Sequence, residues 1–287
     1  MRTLRIATRG SNQARTQAEH VARQLRRSGV ATELVFVTTT GDVRTDVPLH
    51  SIGGQGVFVK EVQLAVLDGR ADVAVHSAKD LPSTPAQGLE LAAFCARRDP
   101  RDALVGRALD DLDHGATVAT GSVRRRAQLA LTRPDLSFVE LRGNIATRLS
   151  SVPDGGSILI AVAALEILGM TDRLAQVLAV DEMVPAVGQG CVAVECRTDD
   201  FDTAELVARV DDPVARREVE LERAYLAELG SGCTLPVGAH VAGERWWRFL
   251  AGPQGWTRRA EALPGGLDAV RLAAHADQQA VGNGPTE

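Results

Sequence analysis

Lysine is nearly missing from this 287-residue chain: of its 32 basic residues, only Lys60 and Lys79 are not arginine. Its cations are therefore planar forks that grip a carboxylate with two parallel hydrogen bonds, where an ammonium acts as a point charge. Aromatic residues are scarce at 3%, and the formal charge is −5. A chain with neither a basic field nor a stacking surface is not built for nonspecific nucleic-acid binding. Long apolar runs are also lacking. The longest, Ile158 to Leu165, stops at Glu166, far short of a membrane span. Met1-Arg2-Thr3 runs straight into the strand-like Leu4 to Thr8, leaving no signal-peptide core, so a cytosolic protein is expected. The four cysteines, Cys95, Cys191, Cys196 and Cys233, are too widely spaced for a C-x-x-C pair, and no metal site is expected. Cys191 and Cys196 should point to opposite faces of one strand, which disfavours a disulfide between them.

With 45% apolar residues and little net charge, the chain should fold. Strand-like and helix-like runs alternate from the start, favouring mainly parallel sheets covered by helices. Leu4 to Thr8 reads as a strand, and Ala14, Ala18, Val21, Ala22 and Leu25 then recur at helical spacing. Thr32 to Thr39, Phe58 to Leu67 and Asp72 to His76 continue the alternation as strand, helix and strand. The charged, Pro-containing stretch Arg97 to Asp102 reads as a crossover. A second alternation follows, with strands near Thr117 to Ala119, Leu136 to Leu141 and Ile158 to Val162. It closes at the Gly-rich Pro185 to Gly190, after which Cys191 to Glu195 can return to the first sheet. Beyond Pro213 a long helix, short strands and a last helix near Leu267 to Gln279 suggest a small α+β domain.

Four strand-to-helix junctions share one design. They are Thr8-Arg9-Gly10-Ser11, Ser77-Ala78-Lys79-Asp80, Thr120-Gly121-Ser122-Val123-Arg124-Arg125, and Leu141-Arg142-Gly143-Asn144 with Thr147-Arg148 just inside the helix. Such junctions lie at the carboxyl edge of a parallel sheet, where ligands bind. Helix amino termini, hydroxyls and arginines together suit a ligand with several carboxylates or phosphates. No P-loop or dinucleotide fingerprint is present, so nucleotide use is unsupported. Asp80 brings an acid to this otherwise basic set and could stabilise a cation or shuttle a proton. Lys79 could instead be a Schiff-base nucleophile, though nothing near it in sequence lowers its pKa. Cys233, in Gly230-Ser-Gly-Cys-Thr, is either a small packing residue or an accessible thiol used covalently.

Arg5 to Ser11, Gly56 to Glu61, Ala74 to Asp80, Arg98-Asp-Pro-Arg-Asp102, Leu141-Arg-Gly-Asn144, Pro185 to Gly190 and Gly232-Cys233, taken together, resemble the porphobilinogen deaminase family, collinearly from residue 4 to about 242. The resemblance implies an α/β fold: two periplasmic-binding-protein-like (type II) lobes with a central cleft, plus a small α+β C-terminal domain. The divisions would be residues 1–96 with 191–210, residues 97–190, and residues 211–287. It implies a dipyrromethane cofactor joined to Cys233 by a thioether and held by Lys79, Asp42, Ser77, Thr120, Ser122, Arg124 and Arg125. Substrate contacts would come from Arg9, Ser11, Arg142, Arg148 and Gln189, and Asp80 would be the catalytic carboxylate. Four porphobilinogen units would be joined head to tail, with loss of ammonia at each step, to give 1-hydroxymethylbilane in tetrapyrrole synthesis. The partners would be porphobilinogen and the growing polypyrrole, with no nucleic acid or membrane, and the protein would be a monomer.

Four positions depart from the family pattern. Ser51 and Gln55 stand where some relatives have lysine, Gly121 where a second hydroxyl is common, and Ile167 where an arginine is usual. Two other functions follow from the same residues: an altered paralogue serving another pyrrole pathway, or a bilobal anion-binding protein, which leaves Cys233 without a use.

Overall fold

The computed structural model describes residues 2–39, 59–230 and 235–282. In chain order its elements are β1 (Leu4–Arg9), α1 (Asn12–Arg27), β2 (Thr32–Val37), α2 (Lys60–Leu67), β3 (Val73–Ser77), β4 (Leu89–Phe94), β5 (Asp102–Gly106), β6 (Thr117–Ala119), α3 (Val123–Thr132), β7 (Ser137–Val139), α4 (Ile145–Leu149) and β8 (Ser157–Ala161). These are followed by α5 (Val162–Glu166), β9 (Gln176–Val177), β10 (Val192–Arg197), α6 (Phe201–Val207), α7 (Pro213–Glu228), β11 (Val237–Ala242), β12 (Arg245–Gly252), β13 (Gly255–Ala262) and α8 (Leu267–Ala280). Contacts divide the chain into two units. The first is Met1–Arg98 with Gly190–Arg217, and the second is Asp99–Gln189 with Glu218–Glu287.

The first unit holds a five-stranded sheet in the order β2-β1-β3-β10-β4, and the second repeats that pattern as β7-β6-β8-β5-β9. In each sheet one strand opposes the rest: β10 is antiparallel to β3 and β4, and β5 to β8 and β9. The opposed strands are those that adjoin the two crossovers, so the mainly parallel sheets expected from the alternation each carry one reversed strand. This is the type II periplasmic-binding-protein-like topology. A separate antiparallel sheet, β11-β12-β13, with α7 and α8, makes the small C-terminal part.

The α1 stripe is buried as its spacing predicts. Ala18, Val21, Ala22 and Leu25 pack on Ile6, Val73, Val75 and Val194. Ser11 caps α1 and Ser122 caps α3, each hydroxyl accepting a backbone N–H three residues on, from Ala14 and Arg125 respectively. In the C-terminal sheet Trp246 is fully buried, edge-on to Tyr225 at 5.8 Å between ring centroids. Asp277 fastens α8 there, accepting from Tyr225 Oη at 2.9 Å and Arg248 Nε at 2.8 Å.

β1 is tied to the start of β3 by a carboxylate. Asp72 accepts the Arg5 backbone N–H at 2.8 Å and the side chains of Arg5 and Arg2 at 2.9 and 2.8 Å. Burial pushes the Asp72 pKa up, but the hydrogen bonds from Arg5 and Arg2 outweigh it and bring it down to about 2. A depressed carboxylate pKa stabilises the fold above its unfolded value, near 3.9, and that stability is lost as pH falls through the folded one. Thermal midpoints between pH 5 and pH 2 should therefore drop more steeply for wild type than for Asp72→Asn. Equal slopes would mean that Asp72 gains nothing from these partners.

Candidate functional site

In the first unit, the carboxyl ends of β1 and β3 and the start of α1 enclose one cavity. It is lined by Arg9, Ser11, Gln13, Gln17, His76, Ser77 and Asp80. Asp80 ends a 3₁₀ turn, Ala78–Asp80, that leaves β3 directly. The backbone holds this turn at both ends: Ala78 N–H donates to Cys191 O at 2.9 Å and Leu81 N–H to Ala78 O at 3.3 Å. No hydrogen bond or ion pair joins the Asp80 carboxylate to another described residue. Lys79 is half-buried on the same turn. Ser77 Oγ is 2.9 and 3.1 Å from the two polar atoms of the Gln17 amide, which places that hydroxyl against α1.

Behind the cavity lies a buried polar group that the sequence analysis did not anticipate. His76 Nε2 is 3.0 Å from Glu195 Oε2, and the Gln63 amide donates to both Glu195 oxygens at 3.0 and 2.9 Å. The register of β3 against β10 places Ala74 opposite Glu195, two residues before His76. The two side chains therefore share one face of the sheet. An isolated glutamate in an otherwise apolar strand was the available signal, because a carboxylate there must be paired.

In the second unit, the β6–α3 junction presents Thr120 and Ser122, with Thr120 Oγ1 accepting the Ser122 N–H at 3.2 Å. Arg124 and Arg125, expected at a ligand, are both buried and meet on Asp102. Arg124 Nη1 donates to Asp102 Oδ2 at 2.7 Å and to Val184 O at 2.6 Å. Arg125 donates through Nε and Nη2 to Asp102 Oδ1 at 2.9 and 2.7 Å, and through Nη1 to Leu159 O at 3.0 Å. Gln189 is buried too, its amide reaching Pro100 O at 2.6 Å and Asp102 Oδ1 at 3.0 Å. Burial alone would raise the Asp102 pKa, yet the two guanidinium charges hold it well below the usual carboxylate range. Asp102 was absent from the expected site. Its position at the head of the apolar Ala103-Leu104-Val105 was the sign that it starts a buried strand.

The neighbouring β7–α4 junction carries Arg142, Asn144 and Arg148. Asn144 caps α4 through Thr147 N–H at 3.0 Å, and Arg148 Nε donates to Gly143 O at 2.8 Å. Arg142 differs, since its Nη1 is buried without a hydrogen-bond partner among the described residues. The two junctions press together at Gly121, where an added Cβ would lie 2.8 Å from Leu141 O and 2.9 Å from Glu140 Oε1. A side chain here would crowd the Leu141 carbonyl and Glu140. Gly121→Ser should destabilise the protein by about 1–3 kcal/mol through overpacking, read as a lower urea midpoint. An unchanged midpoint would show that Leu141 moves aside freely. Ile167, where the family pattern has arginine, is buried at the end of α5.

Asp42, Cys233, Ser51 and Gln55 lie outside the described residues. The other three cysteines are buried and form no disulfide among the described residues. Burial pushes the thiols of Cys95 and Cys196 up to about 12, and Cys191 Sγ contacts Cys95 O at 3.3 Å. Among the described residues no group of three or more His, Cys, Asp or Glu is placed to hold a metal. No described helix is long and apolar enough to cross a membrane.

Among solved structures, the chain is similar to the methionine binding protein MetQ, at 15% identity over 78% of this chain and 94% of that one, with a TM-score of 0.47. It is also similar to a nutrient binding protein from Burkholderia cenocepacia bound to methionine, at 13% identity over 75% and 94%, TM-score 0.45. A third is a periplasmic substrate-binding protein of an ABC transporter from Coxiella burnetii, at 19% identity over 78% and 96%, TM-score 0.44. The family model described as porphobilinogen deaminase, dipyromethane cofactor binding domain, matches residues 4–205 and so spans every candidate site residue except Cys233. With most of its length matched, the chain belongs to the porphobilinogen deaminase family, a family of transferases in tetrapyrrole biosynthesis.

Proposed function

We propose that the protein is itself a working porphobilinogen deaminase, which joins four porphobilinogen units head to tail and releases 1-hydroxymethylbilane by hydrolysis. The observation that carries this reading is the placement of Asp80, a carboxylate with no described partner, in a cavity with Arg9, Ser11 and Ser77 at the carboxyl ends of β1 and β3. Each pyrrole brings an acetate and a propionate. Arg9, Arg142 and Arg148 hold these groups, and Ser11 and Ser77 supply hydroxyls. Asp80 faces the aminomethyl carbon and offsets the positive charge that grows as ammonia departs with the bonding electrons. After the new carbon–carbon bond forms, the same carboxylate takes the proton released from the attacking pyrrole carbon and passes it to water.

The family also implies a dipyrromethane, a group bearing four carboxylates, and the residues here fit it. Arg124 has Nε and Nη2 without a partner among the described residues. This arginine, with Thr120, Ser122, Lys79 and Asp42, would hold it. When bound, it supplies the pyrrole carbon to which the first substrate unit is joined. Attachment through Cys233 is supported by the state of the other cysteines, since a thioether forms from an accessible thiolate and those three thiols are buried. Residues 1–96 with 191–210, 97–190 and 211–287 serve as the two lobes and the attachment domain.

The reading is tested by incubating the purified protein with porphobilinogen and measuring ammonia and product together. One ammonia per porphobilinogen consumed and one tetrapyrrole per four are expected. Binding of porphobilinogen without ammonia release would overturn it.

A further inference from the structure

Two residues expected to touch the ligand, Arg125 and Gln189, have their polar groups turned onto Asp102. All three nitrogens of the Arg125 guanidinium donate to protein oxygens, from Asp102 and Leu159. The Gln189 amide donates to Asp102 and Pro100. Arg124 is different. Among the described residues it spends only Nη1, on Asp102 Oδ2 and Val184 O, and keeps Nε and Nη2. Val184 is itself clamped, its oxygen accepting from Gln128 Nε2 at 3.0 Å and its N–H donating to Gln128 Oε1 at 2.8 Å.

We infer that Asp102 is a positioning residue for cofactor binding: with Arg125 and Gln189 it fixes the Arg124 guanidinium so that its remaining edge meets a cofactor carboxylate. The chemistry supports this division. A guanidinium on a flexible stem loses conformational freedom when it binds, and a side chain already held by a carboxylate and a carbonyl has less left to lose. Asp102 is fully buried and its neighbours Arg124 and Arg125 nearly so, so the holding interactions act in a low-dielectric setting. Asp102 also lies at the start of β5 and Gln189 at the end of the second crossover segment, so the cluster joins both segments to the first turn of α3. In this arrangement Arg125 and Gln189 act on the ligand only through Arg124.

This inference rests on the reading that Arg124 holds the cofactor, and a double-variant cycle separates the two. Wild type, Asp102→Asn, Arg124→Lys and the double variant are purified as full chains. The fraction carrying the covalent adduct is measured by intact mass on the folded material, alongside the thermal midpoint. Each single change should lower adduct occupancy about tenfold or more, the scale of one charge-assisted hydrogen bond. The double variant should be no worse than Arg124→Lys alone, because Asp102 acts through Arg124. The loss of thermal midpoint from Asp102→Asn, in contrast, should appear in both backgrounds.

If Asp102→Asn yields no folded protein, Gln189→Met takes its place in the cycle. It removes one donor to Asp102 and leaves the charges paired, with a several-fold loss of occupancy expected that vanishes in the Arg124→Lys background. Multiplying losses, or full occupancy with Asp102→Asn or its substitute, would overturn the positioning role. Full occupancy with Arg124→Lys would overturn the cofactor reading of Arg124, and the inference with it.

Discussion

Asp80→Asn is expected to leave the protein folded and to lower turnover about a hundredfold or more, the usual cost of removing one oriented electrostatic group from an active site. The fold should survive because the carboxylate makes no hydrogen bond or ion pair with another described residue. The turn that carries it is held by backbone bonds from Ala78 and Leu81. Asparagine keeps the size and one acceptor but neither offsets a growing cation nor accepts a proton. The loss should fall on kcat more than on KM, since Arg9 and the other arginines that bind substrate are untouched. Unchanged circular dichroism with near-normal turnover would show that another group carries the chemistry.

Cys233→Ser should abolish both the covalent adduct and the activity. Serine at the same position presents a hydroxyl that is essentially never ionised at neutral pH, so no thioether analogue forms. Cys95→Ser, Cys191→Ser and Cys196→Ser should each keep the adduct. Consistent with that contrast, a thiol reagent applied to the folded protein at pH 8 should leave Cys95 and Cys196 unmodified, because burial pushes both thiols up to about 12. An adduct of normal mass on Cys233→Ser would move the attachment to a different residue.

The strand-to-helix junctions were legible because period and punctuation agree in them. Ser11 and Ser122 precede apolar-periodic runs and do cap α1 and α3. The alternation also located β6, β8 and β10 to within a residue or two. What escaped the sequence was long-range pairing. Leu89 to Phe94 has only one charged residue, Glu90, and weak alternation, so β4 does not declare itself until β10 pairs with it. Arg97 to Asp102 has charges of both signs beside a proline and reads as a crossover, yet its last residue is the most enclosed carboxylate of the second unit's site. The arginines at 124 and 125 look alike in sequence. Only the third dimension distinguishes the one whose donors are all spent on protein from the one that keeps an edge. Gly121 reads as a lost hydroxyl until Leu141 O is seen against it.

Covalent, stepwise chain growth on this protein leaves a mass signature that intact mass spectrometry of the full chain reads. Purified protein should exceed its sequence mass by one dipyrromethane. Brief addition of porphobilinogen should then produce species heavier by one, two and three further pyrrole units, each less one ammonia, which disappear as product is released. A protein at its bare sequence mass that gains no adducts when porphobilinogen is supplied would rule out chain growth on a covalent cofactor here.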